Sequence, residues 1–153
     1  MSTPLVGIVC GSKSDEDKIK KALEVLGQYG VSYELNFFSA HRTPNKAATY
    51  AKKAAGRGIK VIIAAAGLAA ALPGVLAAHT TLPVIGLPLS AGALNGMDAL
   101  YAIVQMPAGI PVATVGIDNA ANAAHLAVQI LAQSQPALVS KIESVRAAFG
   151  DDR

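Results

Sequence analysis

The chain has 153 residues, a formal net charge of +3 and an isoelectric point near 9.1. That length is typical of one domain, so we expect a single domain over residues 1–153, with residues 137–153 as a C-terminal helix and tail. The positive excess is too small to indicate a nucleic-acid partner. Lys18, Lys20 and Lys21 lie on the polar side of a predicted helix with no aromatic residues among them, which is typical of a solvated helix face.

Charge is very unevenly distributed along the chain. Between residues 61 and 140 the only Asp, Glu, Lys or Arg residues are Asp98 and Asp118. Obligate subunit interfaces are large, apolar and depleted in charge, so we expect extensive self-association. The alternative is a membrane span over residues 61–78, but the glycines, the proline and the many alanines of that run disfavour it. We therefore expect no membrane partner.

The compartment follows from the cysteine content and the start of the chain. Cys10 is the single cysteine, which excludes a disulfide within the chain and fits a reducing compartment. The first apolar stretch is short and has no basic residues before it, unlike a signal peptide. We expect a cytoplasmic protein in which Cys10 is a buried structural thiol inside a strand.

Apolar runs typical of buried strands alternate along the chain with segments typical of helices. The predicted strands are residues 5–10, 33–38, 61–65, 84–87 and 112–117. The predicted helices are residues 15–29, 44–56, 72–78, 94–104, 119–132 and 137–149. Successive β–α units of this kind predict a doubly wound parallel sheet in a three-layer α/β/α sandwich.

Local residues support several of these helix ends. Ser14 is a candidate N-cap of the first helix, and Pro44, after Thr43, suits the first turn of the second. Gly30 and Gly58 are expected to stop the two helices that precede them.

A doubly wound sheet binds its ligand beyond the carboxyl ends of its strands. In the flavodoxin-like strand order 2-1-3-4-5, the ligand crevice opens between the first and third strands. The loops that border this crevice are residues 11–15, 39–44 and 65–71. Chemistry is therefore expected in these three segments.

The loop at residues 11–15 reads Gly-Ser-Lys-Ser-Asp and joins a strand to a helix. Free amides at a helix start and serine hydroxyls favour a phosphate group. The alternative is that Ser14 only caps the helix. The loop matches neither a Walker motif nor a dinucleotide fingerprint.

The segment at residues 39–44 places His41 beside Arg42 at the end of the second strand. An imidazole exchanges protons near neutral pH, and a guanidinium grips phosphate with a planar fork. Lone histidines are commonly structural, but a position in the predicted crevice favours function here. His79 and His125 lie away from the crevice and share no metal-ligand spacing.

Residues 64–74 are mostly glycine and alanine, which let backbone amides approach a planar ligand. Close packing at a subunit contact is an equally good explanation of this composition.

Several motifs in order resemble the carboxyaminoimidazole ribonucleotide mutase (PurE) family of the bacterial type. They are Gly-Ser-Lys-Ser-Asp at 11–15, Ser-Ala-His-Arg-Thr-Pro at 39–44, Leu-Pro-Gly at 72–74, Leu-Pro-Val-Ile-Gly at 82–86 and Ile-Val-Gln-Met-Pro-Ala-Gly-Ile-Pro-Val-Ala-Thr at 103–114. The resemblance covers about residues 6–131. It implies a flavodoxin-like homo-octamer that acts on a small-molecule ribonucleotide without a metal or organic cofactor.

The resemblance also implies the reaction and the roles of individual residues. The enzyme would move a carboxylate from the exocyclic nitrogen of an aminoimidazole ribonucleotide to a ring carbon, with His41 as the general acid and base. The phosphate would be bound by Ser12, Ser14 and Arg42, and the ribose hydroxyls by Asp15. The base and carboxylate pocket would be lined by Ser39, Ala40, Ala66, Gly67 and Leu72.

Two positions depart from the family pattern. Where the family usually has glycine and histidine, this chain has Leu68 and Ala71, so the pocket wall gains bulk and loses a donor. Three alternatives therefore stay open. They are a carboxylase that uses free carbon dioxide directly, a related carboxylase of another heterocyclic nucleotide, and a ligand-binding oligomer without catalysis.

Overall fold

The computed structural model describes residues 3–150, in which five parallel strands form a sheet in the order β2-β1-β3-β4-β5. The strands are β1 (Val6–Cys10), β2 (Tyr33–Phe37), β3 (Val61–Gly67), β4 (Val84–Leu89) and β5 (Ala113–Thr114). This order confirms the predicted doubly wound, flavodoxin-like sheet. The end of the predicted tail, residues 151–153, lies outside the described residues.

Helices cover both faces of the sheet and complete the three layers. They are α1 (Glu16–Tyr29), α2 (Pro44–Ala54), α3 (Leu72–Ala77), α4 (Met97–Val104), α5 (Ala120–Ala132) and α6 (Ala137–Ala147). One face is packed by α1, α5 and α6, and the other by α2, α3 and α4. Across residues 3–150, no helix has the length and apolar character that crossing a bilayer requires.

Alternation along the central strands builds a separate apolar core on each face. In β3, Ile63 and Ala65 pack toward α1 and α5, whereas Ile62 and Ala64 pack toward α2 and α3. Both sets are completely buried. The central strands are therefore nearly continuous apolar runs in the sequence, and this pattern allowed their positions to be predicted.

Most predicted helix ends agree with the structure. Thr43 is the N-cap of α2 with Pro44 in the first turn, and Gly30 ends α1 in the left-handed conformation at a φ of 68°. Gly58, at a φ of 95°, ends the short 3-10 turn that follows α2.

The predicted cap at Ser14 was wrong. A 3-10 turn at Lys13–Asp15 precedes α1, and Ser12 caps that turn by accepting a hydrogen bond from the Ser14 amide. The extra turn moves the start of α1 to Glu16. Ser14 therefore lies inside the connection, with its hydroxyl available on the cavity side.

The last strand is much shorter than the predicted span of residues 112–117. The backbone polar groups of Gly86 and Pro88 in β4 both point toward β5. The Gly86 carbonyl accepts a hydrogen bond from the Val115 amide, and the Pro88 carbonyl accepts one from the Asp118 amide. Proline has no N–H, so the regular ladder cannot continue past Gly86. The start of α4 was also predicted too early, because Asn95 and Gly96 adopt positive φ and form a turn.

Candidate active site

A cavity of about 540 Å³ opens at the carboxyl ends of β1 and β3. All of the site residues predicted from the sequence line it, although their individual roles stay predictions. The lining residues are Gly11, Ser12, Ser14, Asp15, Ser39, Ala40, His41, Arg42, Ala66, Gly67, Leu68, Ala69, Ala70, Ala71, Leu72 and Ala91. The expected crevice between the first and third strands is therefore where these loops meet.

The loop after β1 presents hydroxyls and amides to the cavity. Its entry is anchored by the Gly11 amide, which donates to the Ala65 carbonyl of β3 at 3.0 Å. The Ser12 and Ser14 hydroxyl oxygens lie 2.8 Å apart and are exposed. Two adjacent hydroxyls that bond only to this loop can exchange that bond for one to a ligand oxygen. This geometry suits an anionic group such as a phosphate.

Asp15 borders the same loop with a carboxyl that is partly removed from water. Burial raises the pKa of this carboxyl, whereas the backbone of Ser12 and the charge of Lys18 act in the opposite direction. A carboxylate in this position can accept hydrogen bonds from hydroxyl groups of a ligand.

The loop after β2 is held by hydrogen bonds between its ends. The Ser39 amide donates to the Thr43 hydroxyl at 2.9 Å, and that hydroxyl donates to the Ser39 carbonyl at 3.1 Å. The Arg42 amide donates to the Ser39 hydroxyl at 3.1 Å. These bonds fix the backbone and leave the side chains of His41 and Arg42 exposed at the cavity.

Within residues 3–150, neither candidate side chain of this loop has a polar partner in the protein. Among residues 3–150, the His41 imidazole and the Arg42 guanidinium form no hydrogen bond or ion pair within the usual distance limits. His79 and His125 differ, because the His79 ring is bonded to the Val75 carbonyl at 2.8 Å and the His125 ring to the Tyr29 hydroxyl at 3.2 Å. His41 is thus the histidine that faces the cavity.

The third loop contains a strained residue. Leu68 has a φ of 54°, a conformation that glycine adopts easily and leucine rarely does. Its side chain remains 54% exposed. Ala71 directly precedes α3 and offers no polar group to the cavity. Both departures from the resemblance therefore lie in the wall of the cavity.

Two side chains outside the cavity lining, Cys10 and Lys18, also bear on the sequence predictions. Cys10 is completely buried in β1, as predicted, and burial is the main cause that raises the pKa of its thiol to about 12. Lys18 was misinterpreted as part of a solvated helix face. It donates hydrogen bonds to Ser90 instead, while Lys20 and Lys21 pair with Asp17 and Glu24 on the exposed side.

A second cavity of about 390 Å³ lies between α5 and α6, where Tyr29, His125 and Arg146 contribute to its lining. It contains none of the predicted site residues. Within the described chain, no three His, Cys, Asp or Glu side chains are grouped closely enough to hold a metal ion.

Comparison with known proteins adds the family. The family model described as AIR carboxylase matches residues 5–151, which is nearly the whole chain. The chain belongs to the AIR carboxylase family.

Relatives within this family carry two different names. The N5-carboxyaminoimidazole ribonucleotide mutase of Pyrococcus horikoshii is 58% identical over 139 residues, which cover 91% of this chain and 78% of that protein. The phosphoribosylaminoimidazole carboxylase of Schizosaccharomyces pombe is 54% identical over 144 residues, which cover 94% of this chain but 26% of that protein. The crystal structure of Treponema denticola PurE superimposes with a TM-score of 0.86 at 28% identity, covering 95% of this chain and 91% of that one.

Proposed function

We propose that the chain is an N5-carboxyaminoimidazole ribonucleotide mutase of purine biosynthesis. It would convert N5-carboxyaminoimidazole ribonucleotide into carboxyaminoimidazole ribonucleotide. The observation that carries the proposal is that His41, Arg42 and the Ser12–Ser14 hydroxyl pair converge on one cavity. The 58% identity to the mutase of Pyrococcus horikoshii also supports the proposal.

The ribonucleotide would be held in the cavity through its phosphate, its ribose and its base. The Arg42 guanidinium, which has no partner among residues 3–150, can bind phosphate through two parallel hydrogen bonds, with the hydroxyls of Ser12 and Ser14 as further donors. Asp15 would accept hydrogen bonds from the ribose hydroxyls. The base and its carboxylate would lie against Ser39, Ala40, Ala66, Gly67 and Leu72.

His41 would carry the proton in both directions. Loss of carbon dioxide from the exocyclic nitrogen leaves a nitrogen that takes a proton from the imidazolium. The ring carbon then attacks carbon dioxide, and its own proton returns to the imidazole, so the enzyme ends as it began. One group suffices because the proton given in the first half is recovered in the second. The imidazole of His41 supports this assignment, because it is exposed and forms no hydrogen bond with the residues that the structure describes.

The second candidate is direct carboxylation of aminoimidazole ribonucleotide by free carbon dioxide. It is favoured by one observation, the 54% identity to the carboxylase of Schizosaccharomyces pombe. Both reactions form the same carbon–carbon bond and need the same proton acceptor at the ring carbon. They differ in the source of the carboxylate.

The source of the carboxylate decides between the two reactions. N5-carboxyaminoimidazole ribonucleotide labelled with ¹³C at its carboxylate is supplied with unlabelled bicarbonate, and the product is analysed by mass spectrometry. A mutase transfers most of the label. A direct carboxylase shows turnover from aminoimidazole ribonucleotide with bicarbonate and yields an unlabelled product. If the protein consumes neither compound, both candidates are wrong.

The active form would be a homo-oligomer, and the implied octamer is the size we propose, in the cytoplasm. The support is an apolar strip along α4 and the turn before it, with side chains 41–60% exposed in the single chain. The strip consists of Leu94, Met97, Tyr101 and Val104. Light scattering at micromolar concentration tests it, and a monodisperse monomer would contradict it.

A further inference from the structure

Three side chains from distant parts of the sequence meet beside the candidate active site. We call Lys18, Ser90 and Asp118 the loop clamp. The Lys18 ammonium donates to the Ser90 hydroxyl at 2.9 Å and to the Ser90 carbonyl, and lies 3.6 Å from an Asp118 carboxylate oxygen. The Ser90 amide donates to Asp118 Oδ1 at 2.9 Å, and the Ser90 hydroxyl donates to Oδ2. Every polar atom of Ser90 is therefore bonded within the clamp.

The clamp joins three separate elements of the fold. Lys18 lies in the first turn of α1, Ser90 directly follows β4, and Asp118 lies after β5. Asp118 has a φ of 55°, a left-handed conformation that aspartate tolerates better than most residues. Although its burial opposes ionisation, the hydrogen bonds from Ser90 and the Lys18 ammonium lower the pKa of Asp118. Asp118 is therefore held as a carboxylate in the orientation that Ser90 requires.

The segment after Ser90 supports the wall of the cavity. Ala91 lines the cavity, and a Cβ placed on Gly67 would lie 3.2 Å from both the Ala91 Cβ and the Leu89 carbonyl oxygen. A Cβ placed on Gly92 would lie 2.9 Å from Leu68 Cδ2. The side chain of Leu68, the residue with the strained backbone, therefore lies directly against the segment that the clamp holds, and Gly67 approaches the same segment. Strain of this kind persists only where neighbouring structure maintains it.

We propose that the loop clamp positions the Gly67–Leu68 wall of the cavity for ribonucleotide binding. Lys18 and Asp118 are positioning residues that act through Ser90 and do not touch the reacting atoms. The expected change in KM rests on the proposed function, whereas the expected change in amide hydrogen exchange does not. A half-exposed ion pair contributes little to folding stability, so the effect of the clamp is expected in binding and not in melting temperature.

The test uses Lys18→Met, Asp118→Asn and the double variant. Methionine keeps the length of the lysine side chain without its charge, and asparagine tolerates the left-handed backbone. Lys20→Met is the matched control, because it removes the same charge from the same helix and because, within the described part of the chain, Lys20 forms its ion pair with the exposed Asp17. Two measurements are made well below the melting temperature. The first is steady-state kinetics, which gives KM and kcat for N5-carboxyaminoimidazole ribonucleotide, and the second is amide hydrogen exchange of peptides spanning residues 66–72 and 90–96.

Each single variant should raise KM by at least about threefold, because small displacements of positioning groups weaken productive binding. Exchange should accelerate in both peptides, including 66–72, which contains none of the three clamp residues. The double variant should lose no more than the more affected single variant, since both residues act through one device. Lys20→Met should match the unmodified protein in both measurements.

Unchanged exchange at residues 66–72 in both single variants would overturn the proposal, as would kinetic constants within twofold of the unmodified protein. Effects that add in the double variant would also overturn it, because they would mean two independent contacts. If the unmodified protein converts neither ribonucleotide, the proposed function fails, and the exchange measurement alone decides the clamp.

Discussion

Replacing His41 with asparagine tests the central step of the proposed mechanism. Asparagine keeps a similar size and hydrogen-bonding capacity but cannot titrate in the working pH range. The His41 side chain is exposed, and none of residues 3–150 forms a hydrogen bond with its ring. The substitution therefore removes proton transfer and little else.

The structure sets the expected sizes of two separate effects. Because the side chain is exposed and unbonded, unfolding free energy should change by no more than about 0.5 kcal/mol. A positioned acid and base contributes about a hundred- to ten-thousandfold in rate, equivalent to about 2.7–5.4 kcal/mol of transition-state stabilisation. Expressed as free energy, the loss in turnover should thus be several times larger than any change in stability.

Three measurements check the prediction for His41→Asn. Thermal melts compare stability, calorimetry compares affinity for the ribonucleotide, and product formation gives kcat. We expect unchanged melting, affinity within a few-fold, and kcat reduced at least about a hundredfold. Activity within threefold of the unmodified protein would refute the mechanism. His79, reaching in from a neighbouring subunit of the proposed oligomer, would then be the next candidate.

Three further substitutions or probes test the phosphate site, the packing and the thiol. Arg42→Ala should weaken ribonucleotide binding by about ten- to 150-fold through loss of about 1.5–3 kcal/mol, but barely affect the dephosphorylated nucleoside in calorimetry. Gly86→Ala should lower unfolding free energy in denaturant by about 1–3 kcal/mol, because its Cβ would lie 2.3 Å from Ile103 Cγ2, whereas Gly27→Ala, with open space, should not destabilise. Cys10, with a pKa of about 12, should resist iodoacetamide at about pH 8 when folded and react when unfolded in urea.

The fold could be predicted from the sequence because its signals are local. A parallel strand buried on both faces must be almost wholly apolar, as residues 61–65 are, and its connecting helix must have an apolar stripe. Gly30 is recognisable because the chain needs a left-handed residue where α1 ends. Ligands bind beyond the carboxyl ends of parallel strands, so the positions of Ser12, His41 and Ala66, one to three residues after predicted strands, were enough to group their loops at one candidate site.

Two failures of sequence prediction, at β5 and at Lys18, occurred where a distant partner decides the outcome. The length of β5 depends on Pro88 of the neighbouring strand, and nothing within residues 112–117 records that missing donor. Lys18 fits a solvated helix face by its spacing, but its partners lie 72 residues away at Ser90 and further on at Asp118. Ser90 follows a predicted strand, so the rule that places the site beyond the carboxyl ends of the strands could have identified its position as one beside the site.

The order of strands and helices along the chain, the edge of the sheet where the cavity lies and the residues that line it are all determined by patterns within the chain. Hydrophobic periodicity and turn residues act over a few neighbouring positions, so they can be recognised in the sequence alone. The left-handed backbone of Leu68 and the meeting of Lys18, Ser90 and Asp118 behind it were decided by the tertiary structure instead. Contacts of that kind depend on how the folded elements pack in three dimensions, and no local pattern in the chain encodes that packing.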